Sequence, residues 1–193
     1  MGERTTIFHL IGPPGVGKYT IGKELAAITG ARLVDNHSIN NVLFQLIEVD
    51  GVSPVPPEIW PRVLAVRDTV LETIVNLSPQ HLSFIFTNFI RGEDAAEQAA
   101  FDQVIQVAEA RGSIFVPVLL RCATPELERR IVGDDRRERL KLVDRAAATH
   151  YNDEVPPFMT DHPNVLDLDV TTTPPAVAAR TVAEWAAKKR PAR

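Results

Sequence analysis

Residues 6–11, Thr-Ile-Phe-His-Leu-Ile, form a nearly unbroken apolar run, the pattern of a strand buried on both faces. A glycine- and proline-rich stretch follows, and then Ile21, Leu25 and Ile28 recur at helical spacing, with Gly30 as a natural stop. Residues 31–35 read as a second strand ending in an acid, and Ile39, Val42, Leu43, Leu46 and Ile47 as a second helical stripe. Residues 50–57, Asp-Gly-Val-Ser-Pro-Val-Pro-Pro, are rich in proline, which predicts a loop or linker. A long helix is predicted over about 58–77, with Ile59, Val63, Val66, Val70 and Ile74 along one side. Residues 82–89 form a third strand. Glu93 and Asp94 open another helix, where acids suit the dipole, with Phe101, Val104, Ile105 and Ala108 as its stripe and Gly112 as its end.

Residues 114–120 form a fourth strand. Pro117 removes a ladder donor and predicts an edge or a bulge there. Thr124 is the expected N-cap and Pro125 the first residue of the next helix, after which a charged run extends over 126–145. Residues 164–170 form a fifth strand. Thr173 is expected to cap a last helix that starts at Pro174 and turns Ala178, Val182 and Trp185 to one side, and Lys188, Lys189 and Arg190 sit where cations suit a helix end. Strands alternating with helices predict a three-layer α/β/α fold around a five-stranded parallel sheet. Ligands of such sheets lie at the carboxyl ends of the strands, where residues 12–20, Asp35, Thr87, Asn88, Arg121 and Asp169 fall.

Composition adds limits. The 193 residues, 45% hydrophobic and 24% charged, fit one domain with a full core. The net charge of -4 gives no general affinity for nucleic acid. The single cysteine, Cys122, has no internal disulfide partner and reads as a small core residue at a strand end. No apolar run approaches the roughly 18 residues of a membrane span. The first strand begins within about five residues of the N-terminus, leaving no room for a signal peptide. A cytoplasmic protein, monomer or homodimer, is expected.

The chemistry begins at Gly12-Pro13-Pro14-Gly15-Val16-Gly17-Lys18-Tyr19-Thr20. It fits the phosphate-cradling pattern G-x-x-x-x-G-K up to the lysine, then departs: Tyr19 stands where Ser or Thr is usual, and the hydroxyl comes one residue later, at Thr20. A strand before the loop and a helix after it supply the backbone N–H groups and dipole that favour an anion. A GTPase would carry N-K-x-D, and no such tetrapeptide occurs. Ring and motor ATPases end a strand with two acids; the third and fourth strands end Thr87-Asn88 and Arg121-Cys122.

On these residues the chain resembles the adenylate kinase and shikimate kinase group of P-loop kinases. Adenylate kinases likewise place threonine two residues after the lysine, as Thr20 is here. Asp35 is similar to the acid that shikimate kinases use to hold magnesium through water, but Asn36 and His37 replace the rest of their D-x-D pattern, and their glycine-rich turn after the third strand is absent. Shikimate is therefore not the expected substrate. The run 126–145 holds seven of the 21 basic residues and six acids, and solvated i,i+4 pairing accounts for some of them. The resemblance implies that the others form a lid over ATP.

The resemblance implies one P-loop kinase domain over 1–193, with a substrate cap at 36–80 and a lid at 133–145, that uses ATP and Mg²⁺ on a small-molecule acceptor. Lys18 contacts the β- and γ-phosphates, and Gly12, Gly15, Val16, Gly17, Tyr19 and Thr20 complete the nucleotide loop. Arg130 stacks on adenine. Arg136 or Arg137 reaches the transferring phosphoryl, although the family's second arginine position is Asp134 here. Thr20 or Asp35 holds the metal. Asp35 is the first choice as base or orienting group, with His37 second. Arg67, Asn88, Arg91 and His37 are the acceptor-site candidates, with Trp60 and Arg62 nearby on the cap. His9 reads as a core histidine. A hydroxyl acceptor is expected. A nucleoside monophosphate kinase and a nucleotide-operated switch without catalysis are the alternatives.

Overall fold

The computed structural model describes residues 4–92 and 94–189. Glu93 and Arg190 lie outside the described residues. Five parallel strands, β1 (Thr6–Ile11), β2 (Arg32–Asp35), β3 (Phe84–Asn88), β4 (Ile114–Arg121) and β5 (Leu166–Asp169), lie in the order β2-β3-β1-β4-β5. The period-2 alternation of β1 and β4 sends residues to two cores. Phe8, Leu10, Val116, Val118 and Leu120 pack against α1 (Lys18–Thr29) and α8 (Pro175–Lys188). Ile7, Ile11, Phe115 and Leu119 pack against α3 (Trp60–Asn76) and α4 (Ala95–Ala110). Both faces of the sheet are covered, which is why the central strands are apolar throughout. None of the described helices is long and apolar enough to cross a membrane.

A smaller cluster stands apart from the sheet. Phe44 from α2 (Asn36–Phe44), Ile59 from a 3-10 turn (Pro57–Ile59) and Val63 gather with Leu43, Ile47 and Leu140. Three short helices follow β4: α5 (Thr124–Ile131), α6 (Asp134–Glu138) and α7 (Arg145–Asp153).

Several local expectations are corrected. β4 is an interior strand, between β1 and β5; Pro117 is accommodated because β5 pairs only from Val118 onward. Thr124 is the first residue of α5, after Ala123 at the cap, and its hydroxyl donates to Asp153 at 2.5 Å. Thr173 precedes the Pro174 cap of α8 and donates to the Asp169 carbonyl at 3.3 Å. Ile28, Val42 and Leu46 keep their helical spacing yet are exposed. Asp94 does cap α4, accepting from the backbone N–H groups of Ala96 and Glu97. Cys122 is buried directly after β4.

Candidate active site

The loop between β1 and α1 is shaped by its glycines. A Cβ on Gly12 would stand 2.5 Å from the Leu120 carbonyl, so only glycine lets the chain leave β1 so close to β4. Gly17, with φ 109°, is the N-cap of α1 and has no side chain with which to cap it. The first-turn N–H groups of α1 are thus left to the loop rather than to a capping oxygen, the arrangement that suits an anion. Val16 is fully buried under the loop. Lys18 folds back over it, donating to the carbonyls of Gly12 at 2.5 Å and Pro13 at 2.9 Å. Burial, reinforced by the charges of Arg136 and Lys141, pulls the Lys18 ammonium down to about 7. The Asp35 carboxylate opposes that shift.

β3 lies between β1 and β2, so Asp35 stands two strand spacings, roughly 10 Å, from the end of β1. It is 3% exposed. Thr87, its register partner on β3, donates to Oδ1 at 2.7 Å, and Lys141 donates to Oδ2 at 3.1 Å. Burial alone would raise the carboxyl pKa. The Lys141 ammonium and the two hydrogen bonds overcome it and hold Asp35 below the usual carboxylate range.

His37, in the first turn of α2, is pushed down to about 4, chiefly by burial and then by Lys141, so its ring is neutral at ordinary pH. Its Nδ1 and the Oδ1 of Asn41, one helical turn on, are buried without partners. Asn88 ends β3, and its Oδ1 takes the Nε2 of His9 at 2.9 Å. His9 is fully buried, stacks on Phe101 and is driven to a low pKa of about 3 by burial; it is a neutral core histidine whose one hydrogen bond orients Asn88.

The lid brings its cations to the same strand ends. Arg136 donates through Nε and Nη2 to the Leu142 carbonyl, and its charge is felt at both Lys18 and Asp35. The Arg139 guanidinium lies 3.9 Å from the Tyr19 ring centroid, and the Lys141 ammonium lies 4.7 Å from it. Leu140, between them, has φ 52° and is the one non-glycine residue with positive φ among those described. Arg137 is exposed.

Arg130 donates to the carbonyls of Val16, Val170 and Thr171 while paired with Glu126, tying the phosphate loop to the β5–α8 connection. Its side chain borders an open cleft of about 410 Å³ with Arg129, Thr171, Thr173 and Pro175. Three other candidates are already engaged. Arg67 donates to the Ala100 carbonyl at 2.6 Å, joining α3 to α4. Arg62 donates to the Glu58 carbonyl. Arg91 is half-exposed and paired with Asp94 and Glu97. Arg121 and Asp169 sit at strand ends but on the far side of β1, where Arg121 pairs with Asp167. Thr20 is exposed on the first turn of α1.

Lys141 and Arg139 have no individual role among the sequence-based site residues, and Lys141, 8% exposed, is the most buried of the lid cations described. One trace of it is legible: a lysine set among Leu140, Leu142 and Val143 is an odd place for a solvated charge.

The donor set bears on Mg²⁺. No group of three metal-ligating side chains forms among the described residues. Mg²⁺ is bound through few carboxylates, phosphate oxygens and water, and an ionised Asp35 beside a phosphate loop fits that habit. Asp35 and Thr20 are the residues available to it.

No protein-family model and no curated protein sequence matches the chain. Solved structures do resemble it in fold. A candidate kinase from Chloroflexus aurantiacus is 18% identical, with a TM-score of 0.69, over 96% of this chain and 98% of that one. A gluconokinase from Sinorhizobium meliloti is 14% identical, with a TM-score of 0.60, over 97% and 94% of the two chains. The APS kinase of Mycobacterium tuberculosis, solved with AMPPNP and APS, is 16% identical, with a TM-score of 0.56, over 95% and 98%. The chain therefore has the P-loop kinase fold of the shikimate and adenylate kinase type along nearly its whole length.

Proposed function

We propose that this chain is an ATP-dependent phosphotransferase that moves the γ-phosphoryl group to a hydroxyl of a small molecule. The observation that carries this reading is the meeting of Lys18, Asp35 and the lid cations at the ends of three adjacent strands. Phosphoryl transfer is mostly positioning and charge stabilisation, and those are the resources gathered there. The kinases of like fold support it.

In this reading the β- and γ-phosphates replace the Gly12 and Pro13 carbonyls as partners of Lys18. The N–H groups from Gly15 to Thr20 surround the β-phosphate. The base enters the cleft beside Arg130, whose guanidinium is already fixed by three carbonyls. Asp35 or Thr20 would hold Mg²⁺, directly or through water, and the ion would supply neutralisation of the phosphate charge. Arg136, folded into the site, faces the transferring group, with Arg137 the outer cation of the lid. The acceptor lies between α2 and the end of β3, against His37 and Asn88. Asp35 takes the acceptor's hydroxyl proton as the new O–P bond forms and the β,γ-bridging bond breaks, and its electron pair leaves with ADP. His37, neutral and buried, is the second proton acceptor. ATP as donor points to the cytoplasm as the place of reaction.

The arginines of the cap side favour a hydroxyl acceptor over a nucleoside monophosphate. Arg62 and Arg67 each donate to a backbone carbonyl and Arg91 is paired with Asp94 and Glu97, so none is poised as a bidentate clamp on a second phosphate.

Transfer from labelled ATP to a panel of hydroxyl and nucleoside monophosphate acceptors tests the reading, with nucleotide affinity measured by calorimetry. A hydroxyl acceptor is expected to be labelled, and Lys18→Ala to weaken ATP binding roughly 100-fold or more, with its circular dichroism unchanged. Equal ATP affinity in the wild type and Lys18→Ala would remove the phosphate-loop reading. Tight Mg–ATP binding without transfer to any acceptor would point to a switch protein.

A further inference from the structure

The turn Arg139-Leu140-Lys141 is held in a conformation its residue types do not favour. Leu140, with φ 52°, occupies the left-handed region, where a Cβ crowds the following carbonyl. Strain of this kind persists only where surrounding contacts over-determine it. Here those contacts come from the cap. The Asn41 amide donates to the Arg139 carbonyl at 3.0 Å, the Val143 N–H donates to the Gly51 carbonyl at 2.9 Å, and Leu140 packs with Phe44, Ile59 and Val63.

The strained turn aims two cations at one place. Lys141 is 8% exposed, and its ammonium meets the Asp35 carboxylate across 106 positions of sequence. As a source of stability such a pair is poor, because desolvating two charges offsets most of their attraction. Its surroundings make it poorer, since Lys18 and Arg136 bring further positive charge to the same buried region. Arg139 and Lys141 are instead steadied by the Tyr19 ring, at 3.9 and 4.7 Å from its centroid. A ring face holds cations in place without neutralising them, as a carboxylate would. Cations gathered beside a phosphate loop and fixed in position suit a multiply charged anion.

We propose that Lys141 is a catalytic cation that contacts the transferring γ-phosphoryl group, passing from the Asp35 carboxylate to a phosphoryl oxygen. Tyr19, where a hydroxyl is usual, is the platform that positions it. This rests on the phosphotransferase reading. The balance is simple: Lys141 keeps its three protons and exchanges one hydrogen-bond acceptor for another, the acceptor's proton goes to Asp35, and the bridging electron pair leaves with ADP.

Calorimetric titration of Mg–ATP and Mg–ADP into the wild type, Lys141→Met and Lys141→Arg tests this. A contact to the γ-phosphoryl lowers ATP affinity roughly 10- to 100-fold in Lys141→Met, leaves ADP affinity unchanged, and is partly restored in Lys141→Arg. Removing Lys141 alone orphans the buried Asp35 charge, so the same titrations are made on Asp35→Asn/Lys141→Met, which leaves no uncompensated charge and is compared with Asp35→Asn. Loss of the ATP-over-ADP preference in that pair supports the assignment whatever the fate of the single variant. A preserved preference overturns it, and so does an equal loss for both nucleotides. A wild type that binds neither nucleotide defeats the phosphotransferase reading as well, a result distinct from either.

Discussion

Lys18 shows how much one buried charge is altered by its neighbours. With a pKa of about 7, against 10.5 for a free lysine, its charged form is disfavoured by the fold. Below pH 7 the ammonium persists in both folded and unfolded chains, and the full cost of burying it is present. Between pH 7 and 10.5 the folded protein has released that proton while the unfolded chain still holds it, so the contribution of Lys18 to stability rises across that window. Phosphate oxygens reverse the preference by restoring the charged form. Mg–ATP binding at about pH 8 therefore takes up most of one proton, and affinity falls as pH rises above 7. Titrations in buffers of different ionisation enthalpy read this directly. Zero uptake would mean that the Gly12 and Pro13 carbonyls already keep Lys18 charged.

At the scale of elements, connections depend on single side chains more than on helix patterns. Arg111, 6% exposed at the end of α4, donates to the carbonyls of Ile74, Ser78, Pro79 and Leu82, gathering the whole passage from α3 to β3. Arg111→Met leaves those carbonyls without their donor and is expected to cost about 3 kcal/mol. For a chain of this size that lowers Tm by roughly 6–12 °C, with ATP affinity unchanged. Lys at 111 should recover little, because a single ammonium cannot match a planar fork reaching several acceptors. A melt equal to wild type would show that the passage is held by its own turns. Elements of this kind are half legible in the sequence. The apolar runs of β1 and β4, the loop glycines and the Asp94 cap follow from local chemistry. Thr124 and Thr173 do not behave as local caps: Thr124 is taken by Asp153, from another helix, and Thr173 by the Asp169 carbonyl. Local pattern shows only that Lys141 is oddly placed among apolar neighbours; its partner Asp35 lies 106 positions earlier, with β3 and β4 between them.

At the scale of the molecule, the decisive feature is one that alternation of strands and helices does not determine: the order β2-β3-β1-β4-β5. Inserting β3 between the loop strand and the strand of Asp35 sets Asp35 two strand spacings from the loop strand, with Thr87 and Asn88 between them. The turn at 139–143 is fastened to the cap through Asn41 and Gly51, to the end of β2 through Asp35 and to the start of α1 through Tyr19. On the phosphotransferase reading, two substrates that share one fastening do not bind independently. An acceptor that settles the cap lowers the Kd for ATP, and by thermodynamic reciprocity ATP lowers the Kd for the acceptor by the same factor. Titrating each in the presence of the other measures that factor. It should shrink towards one in Gly51→Ala, whose Cβ would stand 2.5 Å from the Lys141 carbonyl and push the two parts of the turn apart. An unchanged factor would mean that lid and cap move separately. On the phosphotransferase reading, coupling of this origin would also disfavour water as the acceptor and so limit ATP hydrolysis when no acceptor is bound.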